Sequence, residues 1–169
     1  MRLRFVASCL LCLALSAHAA EPGANLADHP TIRLILDGKP SDVLDRAALA
    51  SMPRTTVKAA APGEQPSTWQ GVALKDIVSR TCVASGDAMT GRALARLVRV
   101  TTASGDQVVF GAAELHPDFG DAEVLLADSR DGKPLGQDAP FRLIVPRDKR
   151  PDRWLSYVTT VEVVDASTP

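Results

Sequence analysis

Four cations crowd the stretch RDKRPDRW, where Arg147, Lys149, Arg150 and Arg153 fall within seven residues. A guanidinium presents its N–H donors as a fork that matches phosphate or carboxylate oxygens, so this spacing points to an anion site. Asp148 and Asp152 alternate with the cations, and the same pattern reads equally as a solvated connection between strands. A further arginine, Arg142, stands just upstream in the apolar run FRLIVP. In STWQGVALKDIV, Trp69 and Gly71 form a W-x-G in which the glycine permits a tight bend beside an aromatic ring.

Thiols and imidazoles are sparse. Cys9 and Cys12 form a C-x-x-C, but both lie in an apolar leader and leave with it. Cys82 has Arg80 as its one adjacent cation, and a reactive thiolate needs a cation or a helix N-terminus beside it. The expectation is a buried, inert thiol; a free reactive thiol or an intermolecular disulfide are the other readings. His29 and His116 show no zinc-site spacing with Cys82. The tripeptide HPD at 116–118 lacks a long basic helix before it, and DSRDGKPLGQD lacks the ligand alternation and closing glutamate of a calcium loop. Phosphate-cradling, nucleophile-elbow and H-E-x-x-H signatures are absent. Neither a catalytic residue nor a metal-ligand set is assigned from these side chains.

The elements that must position these groups begin after the leader. Arg2 and Arg4 precede an apolar run from Phe5 to Leu15 that closes on Ala17-His18-Ala19, which is the pattern of a secretory signal over residues 1–19. The run is shorter than the ~20 residues of a membrane-spanning helix, and no later run is longer or more apolar. A lipoprotein signal acylated on Cys9 or Cys12 would have too few apolar residues before it. The chain is therefore expected in the periplasm or outside the cell. Nineteen lysines and arginines against twenty acidic residues give no broad field to attract nucleic acid or an acidic membrane. With only Cys82 left after cleavage, no internal disulfide forms and stability must come from the core.

The remaining chain is one domain in size. Residues 20–30 read as a loose arm and 31–165 as the domain. TIRLILDG alternates as a strand and turns at Asp37-Gly38; LDRAALASMP reads as a helix with Leu44, Ala47, Ala48 and Leu49 on one face; RTTVKAA is a second strand. The prolines and glycine of residues 61–68 predict a loop. Leu74, Ile77 and Val78 then define a two-turn helix. RLVRVTTASGDQVVFG is a hairpin around Ser104-Gly105, and AAELHPDFG is a brief helix ended by Pro117. Residues 122–127 form an apolar strand before the Asp131-Gly132 turn, and FRLIVP and VTTVEVV are two more strands. Five to seven short strands with short helices and no β-α-β alternation predict a mixed α+β domain.

In order and spacing, WQGVALKDIV, VRVTTASGDQVVF, VLLADSRDGKPLGQDAPFRLIVP and RWLSYVTTVEVV resemble the sulfite oxidase-like molybdopterin-binding domain. The resemblance implies an α+β fold with a mostly β core and short helices. It also implies a molybdenum centre on a pterin dithiolene, attached through one cysteine thiolate, a soft ligand suited to that metal. The family's cysteine ends the strand before the W-x-G motif, where this chain has Ala59, Ala60 and Ala61. Cys82 lies beyond the following helix. By the same resemblance Arg142, Arg147, Lys149, Arg150 and Arg153 would contact the cofactor phosphate, and Trp69 and Gly71 would shape the loop beside the pterin. Two readings follow: a molybdopterin-dependent oxidoreductase with atypical metal ligation, or the same fold emptied of cofactor and binding a periplasmic protein or small-molecule ligand. N-terminal sequencing of the chain exported by a bacterial host is expected to begin at Ala20; a retained leader would contradict the secretory assignment.

Overall fold

The computed structural model describes residues 30–61, 63–81, 89–136 and 139–167. The secretory signal, Cys9, Cys12, His29, Cys82 and almost all of the proposed arm lie outside these residues. Ten strands form two sheets among the described residues. In the first, β1 (Ile32–Leu36), β2 (Lys39–Leu44), β5 (Arg96–Thr102), β6 (Gln107–Gly111) and β10 (Val158–Asp165) lie in the order β2-β1-β10-β5-β6. β1 runs parallel to β10, and the other pairs are antiparallel. The second contains β3 (Thr55–Ala59), β4 (Ser67–Ala73), β7 (Leu125–Arg130) and β8 (Lys133–Pro134), while β9 (Arg142–Ile144) also pairs with β7.

Period-2 burial explains the strands of the first sheet. Ile32 and Leu34, Val98 and Val100, and Val161 and Val163 are all buried on its inner side. They join Val57, Trp69, Leu125, Leu143 and Ile144 in a single apolar cluster. Burying one such side chain contributes roughly 1.5–3 kcal/mol, so this shared core is the main source of stability among the described residues. Asp37 and Gly38 both have positive φ, as do Asp131 and Gly132, the backbone of the tight turns these pairs predict.

β2 is a strand that the sequence reading missed. Its residues are mostly exposed and include Pro40, as suits an edge strand, and only Leu44 is buried. Leu44 therefore ends a strand instead of opening a helix. The helix α1 (Arg46–Ala50) begins after Asp45, whose carboxylate accepts the Ala48 N–H at 2.7 Å. The next helix, α2 (Leu74–Thr81), buries Leu74 and Ile77 as their spacing predicts. Lys75 and Arg80 hold its outer side through ion pairs to Asp121 at 2.8 Å and Asp42 at 3.0 Å. A short helix, α3 (Ala112–Leu115), ends just before Pro117.

The largest departure is β4. Residues 67–68 belong to a strand instead of the expected loop, and Trp69 and Gly71 lie inside it. Gly71 sits there because β7 passes too close for any side chain: an added Cβ would lie 2.0 Å from the Leu126 carbonyl oxygen and 2.6 Å from the Ala127 Cα. Gln70 pairs with Ser129 but Gly71 with Ala127, so the register slips past Asp128. The slipped residue is held by Arg54, whose guanidinium donates to both Asp128 oxygens at 2.7 and 2.6 Å.

Gly71→Ala is expected to lower the unfolding free energy by about 3 kcal/mol, the upper range for overpacking, as read by urea denaturation. Gly136→Ala, with nothing within 4 Å of its added Cβ, is the control and should be near neutral. Equal stability of the two variants would contradict the close approach.

Candidate anion-binding site

The slipped register places Trp69 directly opposite Arg130. Trp69 is 2% exposed, and its indole N–H donates to the Ala59 carbonyl at 3.4 Å. The Arg130 guanidinium carbon lies 4.8 Å from the indole centroid, within cation–π range. Its Nε donates to the buried Ser67 hydroxyl at 2.8 Å, while Glu64 and Asp131 approach at 3.4 and 3.8 Å. Glu64 is brought there by a turn in which its N–H donates to the Ala61 carbonyl at 2.9 Å.

Arg142 reaches the same ring from β9, with its guanidinium carbon 5.3 Å from the centroid. Its Nε is buried and has no hydrogen-bond partner. Among the described residues no hydrogen bond or ion pair involves this side chain. Burial pushes its pKa down, Glu64 opposes that, and the neighbouring Arg130 charge adds to it. An arginine nevertheless stays protonated in a protein, so the site holds a half-buried cation whose Nε donor is unused. Trp154 closes the cluster edge-on, 6.3 Å from Trp69 at 85°, and its own indole N–H donates to Val145 at 2.9 Å.

The cations of residues 147–153 do not join this group. Arg153 is clasped by Asp148 through two hydrogen bonds of 2.7 and 2.6 Å, approaches Glu114 at 3.4 Å and packs 4.7 Å from the Phe110 ring centroid. These carboxylates push its pKa up, with the Asp148 hydrogen bonds the largest cause. Arg153 thereby ties the loop to α3 and β6. Arg150 pairs with Asp152 at 2.7 Å in solvent. Arg147 and Lys149 are exposed, and Arg147 helps Lys75 hold the Asp121 pKa down. Trp69 and Arg142 are thus the two expected residues that meet, while Gly71 serves strand packing.

Sequence reasoning missed Arg130, Ser67 and Glu64. The signal for Arg130 is its position one residue before the Asp131-Gly132 turn, but only the register across β4 and β7 sets it against Trp69. Ala59 is buried, Ala60 exposed and Ala61 between the two. No group of three or more histidines, cysteines or acids able to hold a metal occurs among the described residues. No helix among them is long and apolar enough to cross a membrane.

No protein-family model matches the chain, and no curated protein matches it. Among solved structures, the sulfane dehydrogenase SoxCD from Paracoccus pantotrophus superposes with a TM-score of 0.58 at 20% identity. The match covers 81% of this chain and 38% of that one, so the chain spans well under half its length. The fold is accordingly the mixed, mostly β arrangement of the sulfite oxidase-like proteins, as the sequence patterns imply.

Arg142→Met is expected to leave the ligand-free protein as stable as the parent or about 1 kcal/mol more stable. The exchange relieves a buried, unpartnered charged donor and loses only a cation–π contact. Denaturant unfolding measures this, and a loss of about 2 kcal/mol or more would show that Arg142 has a structural partner.

Proposed function

We propose that the chain is an exported sulfite oxidase-like domain that binds a phosphate-bearing anion and does not carry out sulfite oxidase-type catalysis. The observation behind this reading is the Arg142 side chain. It is a cation with a buried, unused Nε donor, set against Trp69 beside a second guanidinium. A half-buried cation that no carboxylate pairs with is partly stripped of water, and an anionic ligand compensates by accepting charge-assisted hydrogen bonds from the guanidinium.

The fold class brings molybdopterin into consideration, and its two ends fare differently against these residues. Arg142, Arg130 and the Ser67 hydroxyl suit a phosphate. The metal end does not fit: Ala59, whose carbonyl touches the same indole, and the two alanines after it offer no sulfur ligand. Without a thiolate to complete the coordination and offset the metal charge, the centre has no anchor at this strand end. The sequence's remaining cysteine, Cys82, follows α2, whose Arg80 is paired with Asp42 in the other sheet. We therefore derive no catalytic step through molybdenum. The function that fits is binding, of a pterin phosphate or of another small phosphate ligand in the periplasm, with Arg142 and Arg130 as the recognising groups.

Protein purified from a host that loads molybdoenzymes is expected to hold far less than one molybdenum per chain by metal analysis. Inorganic phosphate should bind saturably by calorimetry, weaken with added salt, and lose at least tenfold in affinity in Arg142→Met. Fluorescence of oxidised pterin released from the purified protein separates the two phosphate sources. Stoichiometric molybdenum would overturn the non-catalytic reading, and phosphate binding unaffected by Arg142→Met would overturn the site.

A further inference from the structure

A cleft of about 400 Å³ opens at one end of the first sheet, in the size range of small-molecule sites. None of Ala59, Trp69, Arg130 and Arg142 lines it. Its walls come from the start of β1, the end of β5, the approach to β9 and the start of β10. Arg33 is the one charged side chain among the described residues lining it, and no carboxylate faces that charge. Thr160 accepts one hydrogen bond from Nη2 of the exposed Arg33 at 3.2 Å, which leaves the other guanidinium donors unused among the described residues. Thr31, Thr101 and Thr159 lie among the lining, the Thr159 hydroxyl donating to the Thr101 carbonyl at 3.3 Å, while Pro140 and Phe141 beside them are buried.

Tyr157 stands at the mouth with a backbone that packing does not explain. Its φ is +58°, a left-handed conformation disfavoured for a bulky residue. The conformation is enforced from both sides. Ala103 N–H donates to the Tyr157 carbonyl at 2.9 Å, and Val158 N–H donates to the Phe141 carbonyl at 3.1 Å. The strained residue is not there to fill the core, because it is 40% exposed. A glycine would adopt this backbone freely. The tyrosine instead places an aromatic ring in the lining of the cleft that also holds Arg33.

We infer that this cleft is a second binding site, for a small organic carboxylate with a flat apolar body. One guanidinium with no neighbouring lysine suits a monoanion better than a phosphate dianion. The fork of Arg33 matches the two oxygens of a carboxylate. The half-exposed Tyr157 ring accommodates the apolar remainder. The site is separate from the Trp69 cluster in residues and in ligand class.

Benzoate is the probe, and Tyr157, the chain's single tyrosine, is the reporter. In an NMR titration, benzoate is expected to bind saturably and to give intermolecular NOEs to the Tyr157 ring protons, with acetate binding more weakly. Arg33→Gln should weaken benzoate at least tenfold while keeping the amide spectrum of the folded chain. Tyr157→Gly should weaken it several-fold while leaving the melting temperature unchanged or raised, since strain is removed and little burial is lost. No saturable binding, equal affinity in Arg33→Gln, or benzoate NOEs to Trp69 in place of Tyr157 would each overturn the proposal. A lowered melting temperature in Tyr157→Gly would overturn it too, by assigning the ring to packing.

Discussion

Backbone of β7 lies against Gly71 at a distance no side chain tolerates, with the Leu126 carbonyl where a methyl group would be. That approach and the register slip beside it set which residues of β4 and β7 face one another. Trp69 consequently meets Arg130, and Asp128, passed over by the pairing, becomes the acceptor for Arg54. Had the register run on without a slip, Trp69 would face a different residue and the cluster of two arginines on one indole would not assemble. A one-residue change of register moves side chains to the other side of a sheet, so this is a steep dependence. The W-x-G spacing is thus a packing constraint first, and it builds a site as its consequence.

The two groups of cations in the molecule illustrate how differently one residue type can be used. Arg153 is matched by Asp148 and Glu114, and its charge is absorbed by the fold. Arg142 is set against an indole beside another arginine, with its Nε unpartnered and Glu64 acting on its charge without an ion pair. A cation already neutralised by two carboxylates must give one up before it can bind an anion. A half-buried cation without an ion pair has no such partner to give up. The basic loop that draws the eye in the sequence is therefore a strap between strands, and the proposed anion site lies on β7 and β9.

Much of the architecture is legible from the residues. Asp37-Gly38 and Asp131-Gly132 announce their turns, the alternation of Ile32 and Leu34 gives β1, and the spacing of Leu74 and Ile77 gives α2. β2 is hidden because an exposed edge strand containing a proline carries no alternation to read. β4 is hidden because Gly71, which marks bends in isolated sequence, here marks contact with a distant strand. Half of the candidate site shares that difficulty. Trp69 and Arg142 stand out by type and by family resemblance, whereas Arg130 and Ser67 acquire meaning only from strand pairing. The capture of Arg153 was foreshadowed locally by Asp148, but its second partner, Glu114, comes from α3. The likeness to SoxCD supports the fold that the sequence pieces imply.

The central claim is that Arg142, and not the basic loop, answers an anionic ligand. Its most direct test is the arginine Nε–Hε NMR spectrum of the protein recorded with and without inorganic phosphate. The account predicts that the Arg142 and Arg130 cross-peaks shift saturably on adding phosphate while the Arg153 cross-peak, already bound to Asp148, stays where it is. Movement of the Arg147, Arg150 and Arg153 signals with Arg142 unmoved would contradict it.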